Sequence, residues 1–339
     1  MTAEAIDVPQ TTISSQIARF GGIYAEHHPP LDTRFGSEVE NYWGRRWGVS
    51  TEVGKLRTVL VHRPGPEIDA IAEPLVKWRY TEKPRLAEMQ QAHERLVAAL
   101  RDNGVEVIIR KPEMAKTPRL VKSIYVRDPS FTVPGGVIIG RLYDALRRGE
   151  EIFTLQTYAE IGCPILHTLN ADATMEGGSV VWIGPKHLAI GVTPRGNRAG
   201  AEQVKRVVQA EHPDIDVCLV DVHHASGHLD VPLTMVNVRQ AVLDKTCVPA
   251  SFADWLKNTA KVEIVDKPAG TYVEGTVVLA PGKVLFDDGL QEEKRRGLQL
   301  LKGLGLDVVP VDLDTLTFPR NSGTLHCLTM PIIRDDEPV

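Results

Sequence analysis

Long apolar runs are missing from this 339-residue chain. No stretch approaches the roughly 18 apolar residues of a membrane-spanning helix. Met1–Gln10 has no basic region leading into an apolar one, so no secretory leader is expected. Cysteine is scarce: four residues lie far apart at 163, 218, 247 and 327. The lack of a C-x-x-C pair excludes a zinc ribbon or a dithiol redox motif and fits the reduced thiols of a cytoplasmic enzyme. An excess of positive charge is also missing, because 39 Lys and Arg face 44 Asp and Glu for a net charge of −5. Non-specific nucleic-acid binding needs a basic surface, so neither nucleic acid nor membrane is an expected partner, and a small molecule is. The 42% hydrophobic content is that of an ordinary folded protein.

Residues 1–50 read as a polar, irregular N-terminal arm containing Pro29-Pro30 and Tyr42-Trp43-Gly44-Arg45-Arg46-Trp47. Its aromatics are expected to pack on the body or on a neighbouring subunit, which makes a homo-oligomer through the arm an expectation. From Gly54 onward a pattern recurs: apolar run, turn, apolar run, amphipathic helix, apolar run. The first unit has Leu56–His62, a helix over Pro84–Asn103 and a strand over Val105–Ile109. The second runs Tyr125–Val133, Val137–Leu142, a helix near 149–161 and Pro164–Leu169. The third has Ser179–Ile183, His187–Val192, a helix over 199–211 and Val217–Val220. The fourth has Leu233–Val238, Gln240–Asp244, a helix over 251–259 and Val262–Val265. The fifth has Thr276–Leu279, Lys283–Phe286, a helix over 291–303 and Asp307–Val311. A last strand, Leu328–Ile333, closes back on the first unit. Repeats of this kind bury their faces against neighbours, and five can close into a ring. Residues 51–339 then form one catalytic domain of α/β class with ββαβ-type repeats; a plain α/β sandwich is the alternative.

Short polar motifs recur beside a strand in successive units: Arg127-Asp128-Pro129, Glu176-Gly177-Gly178 and His228-Leu229-Asp230, with Gly323-Thr324-Leu325-His326-Cys327 before the last strand. Taken singly, each has a plain reading: a turn aspartate, a glycine turn, a surface pair, a small buried thiol. In a ring, equivalent ends converge on the axis, and one pocket then collects a nucleophile, a base and carboxylates.

Tyr125-Val126-Arg127-Asp128-Pro129, Met175-Glu176-Gly177-Gly178, Gly227-His228-Leu229-Asp230 and His326-Cys327-Leu328-Thr329-Met330-Pro331 with Arg334-Asp335 together resemble the arginine deiminase branch of the guanidino-group-modifying enzymes, the pentein superfamily. Gly54-Lys55-Leu56-Arg57 through His62-Arg63-Pro64-Gly65 resembles that family's first strand. The likeness covers roughly residues 50–335 and implies a five-bladed α/β propeller. It implies Cys327 as nucleophile on a guanidinium-type carbon, Asp128 and Asp230 gripping the planar cation, His228 as acid and base, and Glu176 orienting His228 or fixing its charged form. No metal and no cofactor are implied. A free thiol is only a few per cent thiolate at neutral pH, with a pKa of about 8.5, and a bound cation or a nearby imidazolium raises that fraction. In the family, arginines in two loops bind the substrate's α-carboxylate. Arg195 falls at one of those places and Arg147 or Arg148 at the other, a solvated face being the plain reading of the latter pair.

Several positions depart from the pattern. The long helical insertion of arginine deiminases is missing. Ser179 stands where an Asp follows Glu-Gly-Gly. Lys122 stands where an Asn lies near the substrate's amino group, and a lysine there repels an ammonium. Leu325 makes the loop before Cys327 bulkier, which is expected to reshape the entrance. These differences point to a substrate other than plain arginine. The expected activity is cysteine-dependent hydrolysis at an N–C–N carbon, displacing ammonia, an amine or another leaving group such as nitrite from a nitroimidazole. The alternatives are an amidinotransferase passing the group to an acceptor amine, and a non-enzymatic propeller used for binding.

Overall fold

The computed structural model describes residues 35–110 and 120–337. Among them the strands form five three-stranded sheets. Four are built alike: β3 (Ser130–Val133), β4 (Gly136–Ile139) and β5 (Ile165–Thr168); β6 (Val180–Gly184), β7 (His187–Val192) and β8 (Asp216–Asp221); β9 (Leu233–Asn237), β10 (Gln240–Leu243) and β11 (Glu263–Asp266); β12 (Thr276–Ala280), β13 (Lys283–Asp287) and β14 (Asp307–Val311). In each, the first two strands form an antiparallel hairpin, and a helix then returns the chain to lay the third strand parallel to the middle one. Tight turns suit these hairpins. The chain reverses at Pro134-Gly135 and at Pro281-Gly282, with Gly135 at φ 94° and Gly282 at φ 78°, a region that glycine enters without steric cost.

The remaining sheet uses both ends of the described chain. Strand β1 (Leu56–His62) pairs parallel with β2 (Glu106–Arg110), which follows the helix Leu86–Asp102, and antiparallel with β15 (Met330–Arg334). The closure of the last strand on the first unit is therefore as the sequence suggests. The helix Leu86–Asp102 buries Met89, Ala92, Leu96 and Leu100, the stripe set by its apolar spacing. Burying side chains of this size contributes roughly 1.5–3 kcal/mol each. Neighbouring sheets share their cores: Phe131 and Val137 pack with Trp182 and Leu188, and Val59 packs with Val277 and Leu285.

Two differences from the sequence reading matter. Tyr125–Pro129, expected at the start of a strand, is a turn: Asp128 N–H donates to Tyr125 O at 3.4 Å, and Pro129 has no N–H for a ladder. Pairing begins only at Ser130. The part of the expected arm within the described residues is not irregular. Phe35–Trp43 is a helix, and Trp47 is buried on the β3–β4 hairpin, its carbonyl accepting from Gly135 N–H at 3.0 Å. Tyr42 and Trp43 remain exposed. Residues 1–34 of that arm lie outside the described residues. Among the described residues no helix is long and apolar enough to cross a membrane.

Candidate active site

Three backbone hydrogen bonds join the four motifs. Gly177 N–H donates to Asp128 O (2.9 Å), Asp230 N–H to Gly178 O (2.9 Å), and Arg127 N–H to Cys327 O (3.2 Å). The glycines are required by these approaches. A Cβ on Gly177 would strike the carbonyls of Arg127 and Ser130, and one on Gly178 would lie 2.8 Å from His228 Nδ1. No residue with a side chain fits between these loops.

Glu176 is wholly buried and fully partnered. Its Oε1 accepts from Tyr143 N–H at 3.1 Å, and its Oε2 accepts from His228 Nε2 at 2.8 Å and Arg195 Nη1 at 3.1 Å. Burial alone would raise the Glu176 pKa, but His228, Arg195 and Arg147 outweigh it and hold the carboxyl at about 2. The same contact fixes the imidazole: Nε2 faces Glu176, and Nδ1 lies 3.9 Å from Asp128 Oδ1. Burial would lower the His228 pKa, yet Asp128, Glu176 and Asp230 together raise it. The charged form of His228 is therefore favoured more than in a free imidazole.

Asp230 accepts through Oδ2 from His326 Nδ1 at 2.8 Å, and His326 Nε2 lies 3.5 Å from Glu52 Oε2. Asp128 is paired through Oδ2 with Arg147, which also makes two bonds to Glu150, at 2.9 and 2.7 Å. The second oxygens, Asp128 Oδ1 and Asp230 Oδ1, are buried without a hydrogen-bond partner. A buried carboxylate oxygen left this way costs free energy until a donor reaches it.

Cys327 is half-buried at the turn before β15, with Sγ accepting from Thr324 Oγ1 at 3.4 Å. Burial first, then the Asp128 and Asp230 charges, push its thiol up to about 12. Sulfur, Asp128 and Asp230 thus share one electrostatic neighbourhood, and the sulfur rests as a thiol.

The outer positions divide. Arg195 is 24% exposed at its side chain and borders the site through Glu176. The plain reading of Arg147 as a solvated residue is corrected: it is buried, locked between Asp128, Glu150 and the Tyr125 carbonyl. Arg148 is the exposed one, its Nε donating to Leu142 O at 3.0 Å. Lys122 is also corrected. It is buried, donates to Arg79 O at 2.8 Å and to Asn321 Oδ1, and lies 3.6 Å from the Tyr80 ring centroid. Burial, then Arg147, Arg79 and Arg195, draw its pKa down to about 6, so it presents no free cation to a substrate. Leu325 does not shape an entrance, because it is fully buried in the core with Val121 and Leu316. Ser179 is buried in the turn after Gly178, its Oγ without a partner.

The sequence reading missed His326 and Glu52. His326 had a signal, since it adjoins Cys327. Glu52 had none, standing beside the stretch read as arm. Its carboxyl is raised by burial but lowered further by Arg127, His326 and Arg334, to about 2. Ligand atoms of Asp128, Glu176 and His228 lie within 4.8 Å of one another, close enough to hold a metal ion. A cation there would face the Arg147 and Arg195 guanidiniums that already bind Asp128 and Glu176, so the charge distribution disfavours it.

A family model described as arginine deiminase matches residues 111–274. An arginine deiminase of Latilactobacillus sakei subsp. sakei (strain 23K) is 22% identical, over 85% of this chain and 98% of its own. These matches make the chain similar to the arginine deiminase branch of the guanidino-group-modifying superfamily. YkgA of Bacillus subtilis (strain 168) is 24% identical, over 84% of this chain and 95% of its own. Among solved structures, DDAH from Pseudomonas aeruginosa complexed with citrulline superposes with a TM-score of 0.65 at 20% identity, covering 81% of this chain and 99% of that one. Inosamine-phosphate amidinotransferase from Streptomyces griseus gives 0.64 at 18% identity, covering 86% and 98%. The mixed α/β fold with small sheets is that of this superfamily's members.

Proposed function

We propose that the protein is a cysteine-dependent hydrolase acting on an N–C–N carbon, with Cys327 as nucleophile. The observation that carries this is the pair of buried, unpartnered oxygens, Asp128 Oδ1 and Asp230 Oδ1, near the thiol and His228. Two acceptors near one thiol suit a planar group that presents N–H donors from adjacent nitrogens. The five sheets are read as blades of an α/β propeller whose motif-bearing ends meet there, with residues 51–339 as one catalytic domain and 1–50 as an arm. The exposed Tyr42 and Trp43 are where contacts between subunits are proposed.

In this reading the resting site holds a thiol and a His228 biased toward its charged form. One proton has to leave before sulfur attacks. A protonated amidine or guanidine seated between Asp128 and Asp230 offsets the charges that keep the proton on sulfur, and the thiol proton is released. Sulfur then bonds to the central carbon. The C–N bond to the leaving group breaks as His228 gives it a proton. The neutral imidazole next takes a proton from water, which attacks the carbon and frees Cys327. Glu176 keeps His228 oriented and charged throughout.

Plain arginine fits less well. Asp128 already carries the Arg147 guanidinium, and Lys122, where the family has an Asn, is locked inside. A smaller or less zwitterionic substrate is favoured: a guanidine, an amidine, or a nitroimidazole losing nitrite. Arg195, partly exposed beside Glu176, is the residue we read as facing a substrate's anionic or nitro group.

Turnover tests the reading directly. Protein incubated with arginine, alkylguanidines, benzamidine and 2-nitroimidazole is assayed for ammonia, amine and nitrite release. Release from a non-arginine member, at higher kcat/KM than from arginine, is expected. Efficient conversion of arginine to citrulline contradicts the substrate assignment. New guanidino products formed with added glycine or lysine assign the protein to transfer instead.

A further inference from the structure

A cavity of about 550 Å³ lies beside the Cys327 loop, within the size range of small-molecule sites. Its inner wall is Val231, which follows Asp230, and Ser322–Thr324. Thr324 thus belongs to this lining while its hydroxyl lies 3.4 Å from the Cys327 sulfur. The other wall is aromatic. Tyr272 and Phe318 lie nearly parallel, with centroids 6.5 Å apart and planes 21° apart, and Phe318 is 46% exposed although its backbone N–H is fixed to Gly323 O at 3.0 Å. An exposed ring held on the same loop as the nucleophile offers a stacking surface.

The polar lining sets the charge it accepts. Lys267 is neutralised by Glu274 at 2.7 Å, and Asp244 and Glu293 leave the cavity acidic. A carboxylate is disfavoured there, and a neutral or cationic ring is not.

We propose that this cavity is a substrate subsite for a planar aromatic or heteroaromatic substituent, neutral or cationic, carried on one nitrogen of the N–C–N group. Phe318 and Tyr272 are its specificity-determining residues. The inference rests on the reading of Cys327 as nucleophile, and it extends that reading to the substrate's far end.

The test uses two affinity labels, chloroacetamidine and its N-benzyl derivative. In each the Cys327 sulfur displaces chloride, a C–S bond replaces the C–Cl bond, and the thiol proton passes to solvent. The readout is the ratio of the two alkylation rates at Cys327, followed by peptide mass. The wild-type ratio is expected to favour the benzyl label about tenfold, the scale of burying and stacking one ring. Ala269→Trp, which fills the cavity from its exposed rim, brings the ratio near one, and Phe318→Ala lowers it. Both variants are checked for folding by near-UV circular dichroism. Alkylation of Cys327 by both labels with a wild-type ratio near one overturns the subsite and leaves the nucleophile assignment standing. Failure of both labels to modify Cys327 while other cysteines react overturns the nucleophile reading, and the subsite with it.

Discussion

Arg147 places its guanidinium on Asp128, the carboxylate that the family likeness would give to a substrate guanidinium. Both side chains are almost fully buried, at 2% and 3% exposure, and Glu150 grips the same arginine from below the site's turn at 2.7 Å. One oxygen of Asp128 is thus spent on the protein itself, and only the other is open to a ligand.

Removing that arginine strips two buried carboxylates, Asp128 and Glu150, of the guanidinium that hydrogen-bonds them both. Arg147→Met is expected to cost about 3–5 kcal/mol of folding stability, read by urea denaturation. Arg195→Met, at a partly exposed position, costs less. An Arg147→Met protein as stable as wild type contradicts the buried-pair account.

The raised pKa of His228 sets the alkaline limb of activity. In the proposed reaction the imidazolium is the proton donor, so kcat is expected to fall as pH rises through the raised value, above the ordinary 6.5. His228→Gln should lose about a hundredfold to ten-thousandfold in kcat, the worth of one general acid–base step. A pH profile flat through the alkaline range would remove His228 from that role.

A proton count checks the thiol. Because burial and the carboxylates push Cys327 up to about 12, binding an amidinium at pH 8 should release nearly one proton per site. Calorimetry in buffers of different ionisation enthalpy measures this, and Cys327→Ala should abolish it. Equal release from the variant places the proton elsewhere.

Acid stability follows from Glu52 and Glu176, both held at about 2. Folded-state values depressed below the ordinary 4.5 contribute stability above that pH and lose it as pH falls toward 2. The loss is on the order of a few kcal/mol. Denaturation midpoints measured from pH 6 to 3 should fall steeply below about 4.5, and less so in Glu52→Gln.

Much of this was legible in the sequence. The amphipathic helix at Leu86–Asp102 and the hairpins around Pro134-Gly135 and Pro281-Gly282 are local signals, set by spacing and turn chemistry, and they stand where periodicity puts them. The ordered motifs at 128, 176, 228 and 327 carry the family likeness. Side-chain direction was not legible. Lys122 read as a residue near the substrate's amino group and Leu325 as one that reshapes the entrance, yet both are buried inside, and nothing in a one-dimensional pattern says so. Arg147 and Arg148 are neighbours of the same type, and only tertiary packing sends one into the core and leaves the other in water. His326 and Glu52 lie far apart along the chain, so their pairing emerges only once β15 closes on β1.

The proposed reaction runs through a covalent bond at one sulfur. Intact-mass spectrometry of the protein mixed with a panel of guanidines, amidines and nitroimidazoles, quenched in acid, measures it. The account predicts an adduct on Cys327, located by peptide mapping, whose mass equals the substrate less its leaving group, and which is lost in Cys327→Ala while folding persists. Full turnover by Cys327→Ala, or an adduct on Cys163, Cys218 or Cys247 alone, contradicts it.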